Sequence, residues 1–232
     1  SPSWVTTVLL RLVTVMALVF RSILLDIQSF LYSSLKRVLT SVFILIVMSV
    51  PTYAATILIL GDSLSAGYGM PEDQGWVQLL RNQLPQHQVI NGSVSGETTA
   101  GGLRRLPSLL ASSKPDLIVI ELGGNDGLRG FPPNKLKSNL TKIITLSQQQ
   151  GAKVLLTEIM VPPNYGPRYA KSFTQIYHQL AEQYTIQLIP FFMQDIATDK
   201  ALMQRDGIHP NEQAQDTITL LMLPWITQAL SE

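Results

Sequence analysis

The sequence predicts a three-layer α/β domain over residues 55–232, with a parallel sheet held between helices. Three observations predict it. Five apolar runs are continuous instead of alternating, as in strands buried on both faces. Helical patterns separate them in the order β-α-β-α-β-α-β-α-β-α, which implies right-handed crossovers. Polar, glycine-containing clusters follow the runs, and sheets of this kind bind ligands outside the carboxyl ends of their strands.

Taken in order, the first strand is Thr56–Leu60, closed by Gly61. A helix over Gly75–Leu84 places Trp76, Leu79, Leu80 and Leu84 on one side. Gln88–Asn91 is a short second strand, and Thr99–Ala111 a helix carrying Leu103, Leu106 and Leu110. Asp116–Leu122 is the third strand, ended by Gly123-Gly124. The helix Asn134–Gln150 repeats Leu136, Leu140, Ile143, Ile144 and Leu146 and stops at Gly151, a natural C-terminal cap. Lys153–Ile159 is the fourth strand, Arg168–Tyr184 a helix with Phe173, Ile176, Tyr177 and Leu180, and Ile186–Pro190 the fifth strand. A last helix runs from Asn211, its N-cap, to Leu230.

Residues 1–54 read differently. Lys36-Arg37, the apolar run Val42–Met48 and the small residues of Pro51-Thr52-Tyr53-Ala54 make a secretory signal peptide over about 34–54, cut after Ala54. The apolar run is short for a span of ~20 residues, which argues against a permanent anchor. Residues 1–35 leave two readings open, a transmembrane helix or a stretch upstream of the translated protein, and we favour the second. A single domain, 55–232, follows, placed in the periplasm or outside the cell.

The chain has 17 basic and 16 acidic residues and no cysteine. Arg11, Arg21, Lys36 and Arg37 face only Asp26 in the first 54 residues, so the domain itself is slightly acidic. No basic stripe is available for phosphates, so a nucleic-acid partner is not expected. Without cysteine there is no thiolate site or cysteine nucleophile. The three histidines are scattered, so no metal and no cofactor are expected.

Acyl transfer needs a nucleophile, a base, an orienter for the base and donors for the oxyanion. Of the three histidines, His87 falls in a polar connection and His178 in a helix. His209 sits in a loop of glycine and proline, three residues after Asp206. Gly61-Asp62-Ser63 follows the first strand, Asn91–Glu97 the second, Gly123-Gly124-Asn125-Asp126 the third and Pro162–Gly166 the fourth. Their convergence on one edge marks a site more strongly than any one of them. There is no G-x-S-x-G elbow.

Gly61-Asp62-Ser63-Leu64, with Gly96, Asn125 and His209 in order, resembles the four blocks of the SGNH, or GDSL, hydrolases. Ile59–Tyr68, Gly123–Phe131, Asn164-Tyr165-Gly166 and Asp206–Asn211 are similar to its multifunctional periplasmic branch of acyl-CoA thioesterases, lysophospholipases and arylesterases. The resemblance implies a flavodoxin-like sheet ordered 2-1-3-4-5. It also implies Ser63 as nucleophile, His209 as base and Asp206 as its orienter. The Ser63 and Gly96 N–H groups and the Asn125 amide would form the oxyanion hole. Leu128, Arg129, Gly130, Phe131, Pro132 and Tyr165 would bind substrate, with Leu128–Pro133 as a wall of the acyl groove.

The expected partner is therefore a small acyl ester or thioester, met by a monomer that touches membrane only through its signal peptide or a lipid substrate. Two rivals remain: a carbohydrate or short-chain acetyl esterase on the same fold, and a non-catalytic flavodoxin-like binding module. Asp62 and Asp126 read as loop-holding carboxylates, Glu97 as a helix-start carboxylate, and Phe191-Phe192-Met193 with Met203 equally as groove or core.

Overall fold

The computed structural model describes residues 3–48 and 54–231, and the chain divides into two compact units, 1–52 and 53–232. The first unit is one helix, α1 (Ser3–Met48). No glycine or proline interrupts residues 3–48, so the apolar segments read separately above run together. Within it, Leu18–Thr40 is 23 residues long and apolar enough to cross a membrane. Pro51, Thr52 and Tyr53 of the expected cleavage pattern, and the side chains of Val42–Met48, lie outside the described residues.

In the second unit, β1 (Thr56–Gly61) is followed by a one-turn helix, α2 (Ser63–Ala66), and by α3 (Trp76–Gln83). Then come β2 (Gln88–Asn91), α4 (Thr99–Ser113), β3 (Leu117–Glu121), a short α5 (Gly124–Leu128) and α6 (Pro133–Gln149). The chain closes through β4 (Lys153–Thr157), α7 (Pro167–Tyr184), β5 (Gln187–Ile189), α8 (Met193–Ile196) and α9 (Gln215–Ser231). All strand pairs are parallel, in the order β2-β1-β3-β4-β5.

Alternation along each buried strand divides the core into two layers. Leu58, Leu60, Ile118, Ile120, Val154 and Leu156 face Leu106 and Leu110 of α4, Leu136 and Leu140 of α6, and Phe173 and Tyr177 of α7. Ile57, Ile59, Leu117, Val119, Leu155 and Ile189 face Trp76 and Leu80 of α3 and Ile218 and Met222 of α9. Phe192 and Met193 are buried in this second layer, so that apolar cluster is core.

The last helix departs from expectation at its start. Asn211 does cap, accepting from the Gln213 N–H, but it caps a 3-10 turn over Glu212–Ala214, and α9 begins only at Gln215. The Gln215 side chain is the reason. Its amide oxygen accepts the Trp76 N–H at the start of α3, and its nitrogen donates to the Asn211 carbonyl.

From β1 the chain passes to β2 on one side and then returns to β3 on the other. The reversal leaves a crevice at the carboxyl ends of β1 and β3, where Gly61 lies beside Glu121.

Candidate active site

Ser63 is the first residue of α2, immediately after the turn out of β1. Asp62 caps that turn, its Oδ1 accepting the Leu64 N–H at 3.1 Å. The Ser63 Oγ lies 2.9 Å from His209 Nε2. His209 Nδ1 lies 2.6 Å from Asp206 Oδ2. The other Asp206 oxygen accepts the N–H groups of Ile208 and His209, at 2.9 and 3.0 Å. Partial burial works against ionising Asp206, but the His209 N–H, its imidazole and the Ile208 N–H outweigh that and hold the carboxyl low, at about 2. It is therefore anionic at neutral pH, which keeps the proton on Nδ1 and leaves Nε2 free to accept one from Ser63.

Two residues that the sequence did not single out fix the histidine loop. The Tyr68 ring lies 4.3 Å, centroid to centroid, from the imidazole. Gln204 donates from Nε2 to the carbonyls of Tyr68 and Pro210, and its own N–H donates to the His209 carbonyl. It thus ties the loop after α2 to the loop bearing the imidazole. No local pattern distinguishes Gln204 from any other surface glutamine.

Gly96 and Asn125 lie in the loop after β2 and in α5, and Asn125 bonds to Asp62, the neighbour of Ser63. Gly96 is third in the turn Val94–Glu97, closed by the Glu97 N–H on the Val94 carbonyl, and its φ of +77° suits only glycine without strain. Asn125, in α5, donates from Nδ2 to Asp62 Oδ2 at 3.2 Å and to the Glu97 carbonyl at 3.0 Å. An amide has two N–H donors. One of these bonds must be shared or released for Asn125 to serve a substrate oxygen.

Arg129 donates to the Gly96 carbonyl at 3.1 Å, linking the loop after β3 to the loop after β2. Leu128 and Phe131, in the segment after β3 with Gly130 and Pro132, and Tyr165, in the segment after β4, expose their side chains. Tyr169 of α7 donates to the Phe131 carbonyl and so fixes the backbone of the loop.

Asp126 holds a loop as expected, accepting the Thr99 N–H and hydroxyl at 2.8 and 2.6 Å. Glu97 stands at the start of α4, immediately before the N-cap Thr98, and its carboxylate pairs with Arg105 at 2.6 Å. The remaining histidines are elsewhere, His87 accepting the Ala55 N–H and His178 beside Glu158.

Beneath Ser63 lies a buried acid that sequence reasoning passed over. Glu121 accepts the Ser65 hydroxyl at 2.7 Å and is fully buried, and burial beside Asp62 raises its pKa well above the carboxylate range. Its signal was available: a lone carboxylate in the apolar run of β3.

A hydroxyl, an imidazole and a carboxylate bonded in series, at the switch point of a parallel α/β/α sheet, define a serine hydrolase. The model of the GDSL-like Lipase/Acylhydrolase family matches residues 59–216, and the chain belongs to that family. It is 46% identical over 200 residues to the arylesterase of Vibrio mimicus, covering 84% of this chain and 96% of the relative. It is also 46% identical over 166 residues to thioesterase 1/protease 1/lysophospholipase L1 of Escherichia coli K12, covering 71% and 80%. Among solved structures it resembles a monoethylphosphonate-inhibited form of the psychrotrophic esterase EstA from Pseudoalteromonas sp. That match has a TM-score of 0.74 and 48% identity, over 77% of this chain and all of that one.

The acid beside Ser63 gives stability a dependence on pH. Burial raises Asp62 from 3.8 to about 6, against the opposing pull of the Leu64 N–H, His209 and Asn125. The folded state therefore holds this proton more tightly than the unfolded chain does, and stability contributed at Asp62 is lost as pH rises from about 4 to about 6. Asp62→Asn should flatten that decline in a series of melting temperatures against pH. An unchanged slope would show that Asp62 is already ionised below this window.

Proposed function

We propose that residues 55–232 hydrolyse acyl esters and thioesters through a covalent acyl-enzyme on Ser63. The observation that carries this reading is the continuous relay Ser63–His209–Asp206. The Ser63 Oγ attacks the acyl carbonyl while His209 Nε2 takes its proton. Asp206 holds the tautomer and stabilises the imidazolium. The oxyanion is met by the Ser63 and Gly96 N–H groups and the Asn125 amide, each donor worth about 3 kcal/mol of barrier. The imidazolium returns its proton to the leaving alcohol or thiol, and water then repeats the sequence on the acyl-enzyme. Inhibition of the EstA relative by a phosphonate suits a serine nucleophile, since phosphonates form tetrahedral adducts with activated hydroxyls.

The substrates we assign are aryl esters, acyl thioesters and lysophospholipids, by way of the arylesterase and thioesterase/lysophospholipase relatives. The half-exposed Leu128 and Phe131 provide apolar surface near the oxyanion turn, which favours acyl chains over sugar acetates. We further assign 34–54 as a cleaved export signal. The arylesterase match spans more residues than 55–232 contains, so it extends before Ala55.

Ser63→Ala and His209→Ala should each remove nearly all p-nitrophenyl ester turnover while leaving the melting temperature close to wild type. A folded variant within a few-fold of wild-type rate would refute the relay. Leu128→Ala combined with Phe131→Ala should slow long-chain esters more than acetate, because each buried methylene contributes ~0.8 kcal/mol. Equal losses at both chain lengths would mean that the loop supports geometry instead of reading the acyl chain. N-terminal sequencing of exported protein should begin Ala55-Thr56-Ile57; an uncut, membrane-held chain would exclude processing at this site.

A further inference from the structure

Between β2 and α4 the chain makes the loop 92–97, which carries Gly96. Its inner side is tied to the sheet: the Gly92 N–H donates to the Ile59 carbonyl at 2.8 Å and the Val94 N–H to the Gly61 carbonyl at 3.1 Å. Arg105, in the second turn of α4, reaches both ends of this loop. Its Nη2 donates to the Gly92 carbonyl at 2.8 Å, and its Nε to Glu97 Oε2 at 2.6 Å.

We propose that Arg105 is a positioning residue for the oxyanion pocket, clamping both ends of the loop 92–97 so that the Gly96 N–H stays aimed at the acyl oxygen. The proposal rests on the reading of Gly96 as an oxyanion donor.

The geometry makes Glu97 the hinge of the arrangement. Its N–H closes the turn that holds Gly96, and its carbonyl accepts from the Asn125 amide. Its side chain is anchored by Arg105. Two oxyanion donors are thus referred to one residue whose carboxylate is only 10% exposed, so solvent screens the pair less than it would a surface bridge. A planar guanidinium with donors at fixed angles holds two acceptors in register, whereas an ammonium holds a point. Gly96 needs such support. Its φ of +77° is one a glycine leaves easily, and nothing approaches within contact of its missing side chain except Arg129 Nη2 at 4.0 Å. Oxyanion stabilisation depends on donors fixed before charge develops. Loosening the loop should therefore cost the transition state and spare the ground state.

The test compares Arg105→Met, Arg105→Lys, Glu97→Gln and Gly96→Ala, and the combination of Arg105→Met with Gly96→Ala, in the full domain. The measurements are kcat and KM on p-nitrophenyl acetate, affinity for a trifluoromethyl ketone that forms an oxyanion on Ser63, and melting temperature. Arg105→Met should lower kcat on the order of tenfold, less than the ~100-fold or more of losing a donor outright. KM should stay within about twofold, since the lost interaction belongs to the transition state. Ketone affinity should fall with kcat. Arg105→Lys should lie between Arg105→Met and wild type, because it keeps the charge opposite Glu97. In the Gly96→Ala background, Arg105→Met should add little.

Wild-type kcat in Arg105→Met, a change in KM alone, or an undiminished loss in the Gly96→Ala background each overturns the clamp. Wild-type kcat in Gly96→Ala, whose methyl strains the +77° backbone without removing the N–H, shows that the aim of that N–H does not limit the rate and overturns the clamp. If Arg105→Met does not fold, Arg105→Lys and Glu97→Gln decide the question by the same split between kcat and KM.

Discussion

The parallel pairing of β1 with β3 is the constraint on which the site depends. It places Gly61 beside Glu121 at the carboxyl edge. From those two points the chain turns into α2 and α5, which carry Ser63 and Asn125. The strands are buried on both faces and their side chains alternate between two packed layers, so a one-residue shift in register would send every side chain into the wrong layer. The hydrophobic core thereby fixes two candidate site side chains that are far apart in sequence. The bond between Ser63 and His209 is built on that frame, with α9, which follows the histidine loop, packed on α3.

The edge carries a second constraint, a concentration of buried acids. Asp62, Glu121 and Asp126 are nearly or wholly buried, and no ion pair to a basic side chain is found for them among the described residues. Each is instead engaged by neutral donors: Leu64 and Asn125 for Asp62, Ser65 for Glu121, and Thr99 for Asp126. Desolvation raises Asp62 and Glu121 for that reason. Asp206 is partly exposed and meets two N–H groups and an imidazole, and it stays low. Environment thus separates Asp206, which its donors hold low, from Asp62 and Glu121, which burial raises.

Much of the architecture was legible along the chain. Continuous apolar runs gave the five strands to within a residue or two, because burial on both faces leaves no room for polar positions. The helices followed from their apolar spacing, and Gly151 ends α6 with a φ of +84° as a C-terminal glycine should. The one-turn helices α2, α5 and α8 were not foreseen. Four or five residues carry too little periodicity to stand out from a loop. Asn211 was recognised as a cap, but the side chain of Gln215 decided what it caps.

The sequence by itself determined the fold class, the family blocks and the identity of Ser63, His209 and Asp206 as candidates, because these depend on residue type and short spacing. Tertiary structure decided what surrounds them. It set Tyr68 against the imidazole, Gln204 across two loops, Glu121 beneath Ser63 and Arg105 over both ends of the loop that holds Gly96. The physical reason is that each of these is a contact between segments brought together by the sheet. An ordinary tyrosine, glutamine, glutamate or arginine acquires its role from a partner that no local pattern names.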